Sequence, residues 1–480
     1  MTKDLTAGKP LKSIILFMLP IMVGNIFQQL YSMVDTIIVG QTISNQALAG
    51  VGVTNSMSLL IIGFVQGLTS GFSVKTSQCF GAHDEEGVKK SLAASLSLST
   101  VISIILTFVA VYTTMPLLRL MSTPEDIIGY ANDYIIAVYW GLAATVFYNL
   151  ASAMLRAVGD SKTPLIFLIL AALLNVGLDF LFILEFDMGV AGAGWATVLS
   201  QAISAAGCFA VMFTKFPVYR IRAKHFVSSV KFYWQHMALG LPMALQFSII
   251  AVGIMVQQSA LNQLGSVAVT AYTAANKIDS IVNQSLAALG SAVATFCGQN
   301  YGAMRYDRIR QGVKLSMVVG IVCSLVGLAF VALLAKPLTR LFSSEITQEI
   351  LDYSQQYLIW QGAMYIFLTA IYVYRNALQG IGKSTFAMIG GGIEVAMRVL
   401  ASLLLAKALG YTGICVSNPA AWIGADIFFV ISYLAVMRGL RKKKAMLETE
   451  EEPVDGDHIT IEEKREDKSA MRVNVKRRAA

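Results

Sequence analysis

The reading of the fold turns on residues 11–39, LKSIILFMLPIMVGNIFQQLYSMVDTIIV, a mainly apolar run broken once by Pro20 and carrying Asp35 close to its end. A helix needs about 20 apolar residues to cross hydrocarbon, so this run is a membrane helix with a carboxylate inside it. Two later segments answer it. Residues 163–184 hold Asp179 one turn beyond Asn175, and residues 190–213 hold Thr197. A carboxylate in hydrocarbon is costly, faces a cavity or a partner, and marks an ion or substrate path. These three segments therefore imply a proton or cation site in a polytopic membrane protein.

Composition agrees. Of 480 residues 56% are hydrophobic and only 14% charged, against about 25% charged in soluble domains. Such a chain has too little charge to cover a surface in water, and its mean hydropathy is +0.63. The 24 Phe, 21 Met and 18 Tyr suit lipid-facing surface and adaptable cavity walls. The +8 net charge comes from short loops between apolar runs. No basic stripe with interleaved aromatics points to nucleic acid. Cys79, Cys208, Cys297, Cys323 and Cys415 show no paired spacing, which excludes a disulfide framework or zinc site. The N-terminal run has no small-residue cleavage site followed by a polar domain, so it reads as a first membrane helix and not as a removed signal.

Twelve spans are predicted, at 12–39, 49–76, 90–117, 127–154, 163–184, 190–213, 232–260, 268–296, 311–336, 350–376, 385–408 and 416–438. Nothing alternates for the length of a barrel strand. The expected class is an all-α polytopic membrane protein of two six-helix lobes. Residues 1–213 form an N-lobe, 214–231 a cytoplasmic linker, 232–444 a C-lobe, and 445–480 a tail. With the N-terminus inside, 24 Lys and Arg fall on the inner side, and only Arg119, Lys336, Arg340 and Lys407 fall outside. That bias puts both termini in the cytoplasm. The tail carries ten acids and seven bases with few apolar residues, a composition expected to be disordered, with 454–463 a conceivable docking motif.

The halves repeat one another. Gln78-Cys79-Phe80-Gly81-Ala82 returns as Gln299-Asn300-Tyr301-Gly302-Ala303, Leu19-Pro20 as Leu241-Pro242, and Asn55 as Asn276. Leu155–Ser161 returns as Leu378–Ser384. The shift stays between 221 and 223, and six spans per repeat keep both halves in one orientation. Such repeats imply a pseudo-twofold axis along the membrane normal, with a cavity between the lobes.

Taken in order, these stretches resemble the MATE (multidrug and toxic compound extrusion) family of bacterial type over roughly residues 10–440. The matching segments are Met33–Gly40, the paired Gln-x-Phe/Tyr-Gly-Ala motifs, Leu155–Pro164, Leu174–Asp179 and Gly192–Thr197. The resemblance implies two lobes in a V and export of lipophilic, often cationic compounds in exchange for inward H+ or Na+. It implies a monomer in the bacterial cytoplasmic membrane, with lipid and small molecules as its partners and no cofactor beyond the coupling ion. It also matches Asp35, Asn175, Asp179 and Thr197 to the N-lobe cation site of the DinF-like branch. A sister branch relies on C-lobe carboxylates; this chain has Glu394 there, at the repeat equivalent of Ala171.

The residues support that site independently. At 1.5 Å per residue Asp35, Asp179 and Thr197 all lie roughly 6 to 11 Å below the outer surface. Asn175 and Asp179, four apart, share a helix face. Two carboxylates, an amide and a hydroxyl suit a hard cation such as Na+, and the two acids could equally share one proton. The alternative is that each acid accepts a capping or hydroxyl hydrogen bond and never titrates. The C-lobe carries a mixed set within its spans: Lys277, Asp279, Glu394, Arg398 and Asp426. Glu394 and Arg398 are spaced i,i+4 to neutralise each other, as structure or as substrate lining. Asn55, Asn149 and Asn276 are candidate polar lining.

Enzyme readings fail on residues. There is no Gly-x-Ser-x-Gly and no His-Glu-x-x-His, and His83, His225, His236 and His458 are expected in loops or at helix ends. Asp160, between Arg156 and Lys162 in an inner loop, is too far in depth from Asp35 for an aspartyl protease. The rival reading is a flippase for lipid-linked saccharides, whose pyrophosphate would need a denser basic lining than Lys277 and Arg398 give. A reporter fused after Lys444 is expected in the cytoplasm and one inserted at 44–46 outside; an external signal from the Lys444 fusion would sink the twelve-span arrangement.

Overall fold

The computed structural model describes residues 4–121, 123–341 and 347–451, with side chains except those of 30–33, 35–37, 41, 45 and 447–451. Backbone polar groups in hydrocarbon must be satisfied within the chain, which leaves helices as the economical solution for single segments. In chain order the helices are α1 (Pro10–Thr42), α2 (Asn45–Gly81), α3 (Glu85–Leu120), α4 (Glu125–Trp140), α5 (Leu142–Ala157), α6 (Lys162–Phe180) and α7 (Gly189–Lys215). There follow α8 (Val230–Asn262), α9 (Ser266–Gly302), α10 (Tyr306–Arg340), α11 (Gln348–Gly380), α12 (Ser384–Leu409) and α13 (Tyr411–Glu451). Among the described residues eleven helices are long and apolar enough to cross a membrane, and twelve when α4 and α5 count as one bent span. The protein is an all-α polytopic membrane protein. The described residues fall into two compact units, one up to Ala435 and one from Val436.

Three predicted boundaries differ from the structure. The fourth span, expected as one helix over 127–154, breaks at Gly141 and bends by 52°. The break has a tertiary cause: a Cβ on Gly141 would lie 2.1 Å from a methyl of Val198 on α7, so this side chain occupies the gap. The spans also overreach their predicted ends. α2 and α9 have 37 residues each, about 55 Å of helix against about 30 Å of hydrocarbon. Finally α13 continues to Glu451, past the expected start of the tail at 445. Arg441–Lys444 and the residues after them are strong helix formers, with no breaker before Pro453. The candidate motif at 454–463 lies outside the described residues.

The two repeats meet along their first two helices: α1 packs on α9, its counterpart α8 packs on α2, and α2 meets α9. At the last turns of α2 and α9 the repeated Gly-Ala motifs touch backbone to backbone. A Cβ on Gly81 would lie 1.9 Å from the Gln299 carbonyl, and one on Gly302 1.8 Å from the Gln78 carbonyl. The side chains of the same motifs clasp across the contact. Gln78 Nε2 donates to the Gly380 carbonyl (3.1 Å) and Gln299 Nε2 to the Ala157 carbonyl (2.9 Å). Ala157 and Gly380 are themselves repeat equivalents, so this is one interaction made twice. The linker is packed: Tyr219 is buried with its hydroxyl donating to the Met154 carbonyl at 2.5 Å, and burial pushes this phenol well up.

Gly81→Val and Gly302→Val are each expected to destabilise the protein by about 2 kcal/mol or more, because neither backbone can yield. Gly52→Ala, with nothing within 4 Å of the new methyl, should leave the melting temperature in detergent unchanged. Equal melting temperatures for all three variants would refute the crossing as a constraint.

Candidate functional site

In the N-lobe the sequence builds a close contact between α6 and α7. α6 ends in a π-helical turn, Leu181–Glu185, that begins two residues beyond Asp179; such turns cluster at functional sites because they redirect side chains. α7 opens at Gly189 with φ +57° and continues through Gly192-Ala193-Gly194. A Cβ on Gly192 would lie 3.1 Å from Phe182 Cβ, and one on Gly194 2.8 Å from the Tyr134 carbonyl. The missing side chains let α7 approach both α6 and α4, and one turn later it presents Thr197.

The hydrogen-bond network assigns the Asn175 amide. Its oxygen accepts from the Thr197 backbone N–H (3.1 Å) and hydroxyl (3.3 Å), and its nitrogen donates to Asp179 Oδ2 (3.1 Å). Asn175 and Asp179 are fully buried. The structure thus brings three of the four expected residues together, with the amide as the bridge. Asp35 lies on α1, and its side chain is outside the described residues. Near this group, Thr145 donates to Gln201 Oε1 (2.6 Å) and Asn149 donates back to the Thr145 carbonyl (2.8 Å). Asn149 therefore spends its amide N–H within its own helix, and Asn55 is exposed. Gln201 is a polar side chain in this region that the sequence reading did not single out.

The C-lobe candidates separate into distinct environments. Asp279 is buried and satisfied: Tyr365 donates to one oxygen (2.7 Å) and Asn283 to the other (2.8 Å). Asn276 donates to the Tyr272 hydroxyl (3.2 Å), and Lys277 is exposed. Glu394 and Arg398 pair at 2.7 Å, both nearly buried. Asp426, 7% exposed, has no hydrogen-bond partner for either oxygen among the described residues. Cβ atoms on Gly390 and Gly424 would collide with Phe429 and Met397, and the antiparallel register between those contacts brings Asp426 of α13 level with Glu394 of α12.

One expectation is corrected. His225 lies in the connection between α7 and α8, as expected, but His236 lies within a helix and not at its end or in a loop, and both rings are buried. His236 lies inside α8, with Nε2 2.8 Å from the Ser91 hydroxyl and Nδ1 3.0 Å from the Phe232 carbonyl. His225 Nε2 lies 3.3 Å from Glu86, so the two rings serve separate contacts and form no imidazole pair. Among the described residues no group of three or more His, Cys, Asp or Glu could hold a metal ion.

A helical bundle of two repeats, with buried carboxylates and amides inside its spans, defines a polytopic membrane transport protein. The chain belongs to the MATE family: the MatE domain matches residues 20–181 and 242–404, once in each repeat. It is 33% identical to the probable multidrug resistance protein YpnP of Bacillus subtilis over 80% of this chain and 85% of that protein. It is 26% identical to a probable multidrug resistance protein NorM of Thermotoga maritima, over 92% and 95% of the two chains. A FAD transporter of Shewanella oneidensis is also 26% identical, over 82% of this chain and 86% of that protein. The fold superposes on an outward-facing multidrug resistance MATE family transporter of the MOP superfamily with a TM-score of 0.86, at 23% identity and covering 92% and 99% of the chains. A MOP superfamily transporter from Pyrococcus furiosus gives 0.86 at 24% identity, over 91% and 98%. Members of this family are transporters and not enzymes.

Removing one member of the Glu394–Arg398 pair strands a buried charge. Glu394→Ala is therefore expected to cost about 3 kcal/mol of stability, while exchanging the two residues for one another should cost less. Thermal melting of the purified variants checks this; an inert Glu394→Ala would remove the pair from any structural role.

Proposed function

We propose that the protein is a secondary antiporter that exports lipophilic, often cationic compounds in exchange for inward H+ or Na+. Its coupling site is Asp35, Asn175, Asp179 and Thr197 in an N-lobe of residues 1–213, as in the DinF-like branch. In this reading the C-lobe is 232–444 and both termini are cytoplasmic. The observation that carries it is the buried Asn175 bridge. An amide that donates to Asp179 while its carbonyl is held by Thr197 fixes the carboxylate's orientation, and the π turn just beyond is of a kind frequent at functional sites. A cation bound there exchanges these hydrogen bonds for coordination, which links ion occupancy to the packing of α6 on α7. Phe, Tyr and Met side chains supply an adaptable surface for chemically diverse substrates.

A second cation-accepting position follows from Asp426, whose two buried oxygens lack donors among the described residues. Burying such a group without a partner is costly unless it holds a proton or a cation.

The test is drug efflux from everted vesicles, driven separately by a proton and a sodium gradient. The panel contains ethidium, norfloxacin and, given the Shewanella relative, FAD. Asp35→Asn and Asp179→Asn should each reach the membrane folded, yet fall to about a hundredth of wild-type exchange. Each should also lose the pH dependence of transport, or its Na+ dependence if Na+ is the ion. Asn175→Ala and Thr197→Ala, which remove one neutral oxygen each, should lose about tenfold. Wild-type exchange in both amide variants would move the coupling site to Asp426 and Glu394, where Asp426→Asn is the deciding variant.

A further inference from the structure

The residues just before α1 are packed and hydrogen-bonded. Leu5 is fully buried and Thr6 nearly so. Asp4 Oδ1 accepts from the Thr6 backbone N–H and hydroxyl, which folds the segment into a local turn. Gly8, at φ +70°, then reverses the chain into Pro10 at the first turn of α1.

All of its longer-range hydrogen bonds run to the other repeat. The Leu5 N–H donates to Gln299 Oε1 (2.9 Å), and the Leu5 carbonyl accepts from Asn300 Nδ2 and Arg308 Nη2 (both 3.2 Å). Arg305 donates to the Thr6 carbonyl (2.7 Å). Arg308 also reaches the Ala7 carbonyl (2.6 Å) and the Gly8 carbonyl (2.7 Å). It lies over the Phe296 ring at 5.5 Å, which holds its fork in place. Gln299 is the same side chain that clasps Ala157 across the repeat contact, so segment and crossing share one amide.

The first repeat makes a comparable contact at the same end. Glu86, in the first turn of α3, holds the segment before α8: Lys224 at 3.5 Å and His225 at 3.3 Å. Each repeat thus grips the segment that leads into the other. The grips differ in kind. One is a guanidinium on backbone carbonyls, which is geometrically exacting and buried in part. The other is an ion pair at a largely exposed carboxylate, which salt weakens.

We propose that residues Asp4–Gly8 are a releasable strap that ties α1 to the adjoining ends of α9 and α10 and must detach before the two repeats can part at that end. α1 moves with its own repeat, and the strap is its continuation, so separating the repeats at the Gly81–Gly302 crossing breaks the Arg305 and Arg308 bonds together. The strap therefore biases the protein toward the arrangement closed at this end and limits the rate of leaving it. This inference rests on the transport reading above only through its kinetic consequence; the conformational bias stands by itself.

Two measurements on the full-length protein in nanodiscs and proteoliposomes test it. In the first, Ala7→Cys and Met304→Cys, both exposed positions, are bridged by a short bis-methanethiosulfonate in a Cys323→Ser background. Bridging should cut efflux of ethidium about tenfold or more, the equivalent of holding charge-assisted hydrogen bonds closed, and a reductant should restore it. In the second, spin labels at His83→Cys and Met304→Cys report the separation of the two repeats. Arg308→Ala should raise the population of the long distance by about tenfold, and Arg308→Lys, which keeps charge but loses the fork, should raise it less. Unaltered efflux in the bridged protein overturns the strap, as does a wild-type distance distribution in Arg308→Ala. If Arg308→Ala does not fold, the bridged protein decides. If the unbridged parent moves no drug at all, the transport reading fails, and the distance distributions still judge the strap.

Discussion

The contact on which the rest of the structure depends is the crossing of α2 and α9, where each glycine lies against the carbonyl carbon and oxygen of a glutamine on the other helix. No side chain intervenes, so in this arrangement the distance between the two helices is set by backbone radii. Because the same motif stands on both sides, the contact is its own mirror in sequence, and it forces the repeats into a twofold relation. The packing of α1 on α9 and of α8 on α2 follows from it. The Gln78 and Gln299 clasps then fasten this crossing to the ends of α11 and α5. Small residues at helix contacts let backbones approach where lipid offers no hydrophobic drive.

The two repeats share a frame and differ in electrostatics. In the first, an amide bridges a carboxylate to a hydroxyl. In the second, Asp279 is quenched by a phenol and an amide and Glu394 by a guanidinium, while Asp426 has no donor among the described residues. A frame duplicated in sequence has thus been filled with two different sets of charges. Symmetric motion and asymmetric chemistry can coexist because the glycines and glutamines carry the first and the polar side chains carry the second.

Much of this was legible in the sequence, for definable reasons. Span number and repeat follow from hydropathy and motif spacing. The Asn175–Asp179 and Glu394–Arg398 contacts follow from the i,i+4 rule, since helices are certain where runs are apolar and long. The approach of Thr197 to Asn175 was implied only as a common depth; its actual cause is the glycine run on α7. What escaped has non-local causes. The α4/α5 break carries no proline and is apolar on both sides, and it exists because Val198 arrives from another helix. Asp279 finds Tyr365 across 86 positions of sequence. His236 reads as a helix-end residue, yet Ser91 and Phe232 make a buried place for it. The grip of Arg305 and Arg308 on the chain start hides in what looks like ordinary loop charge.

The link between α12 and α13 is a single residue, Gly410, with φ +59°, and just past it the backbone closes so tightly that a Cβ on Gly413 would lie 2.1 Å from the Leu405 carbonyl. Two helices joined this way have no slack to slide past one another along their axes. Sideways they are locked by Gly390 against Phe429 and by Gly424 against Met397. In mechanical terms the pair is a stiff rod folded once, which transmits torque along its length and absorbs none at the fold. Any displacement imposed at one end of α12 is delivered to α13 as a rotation of the whole hairpin.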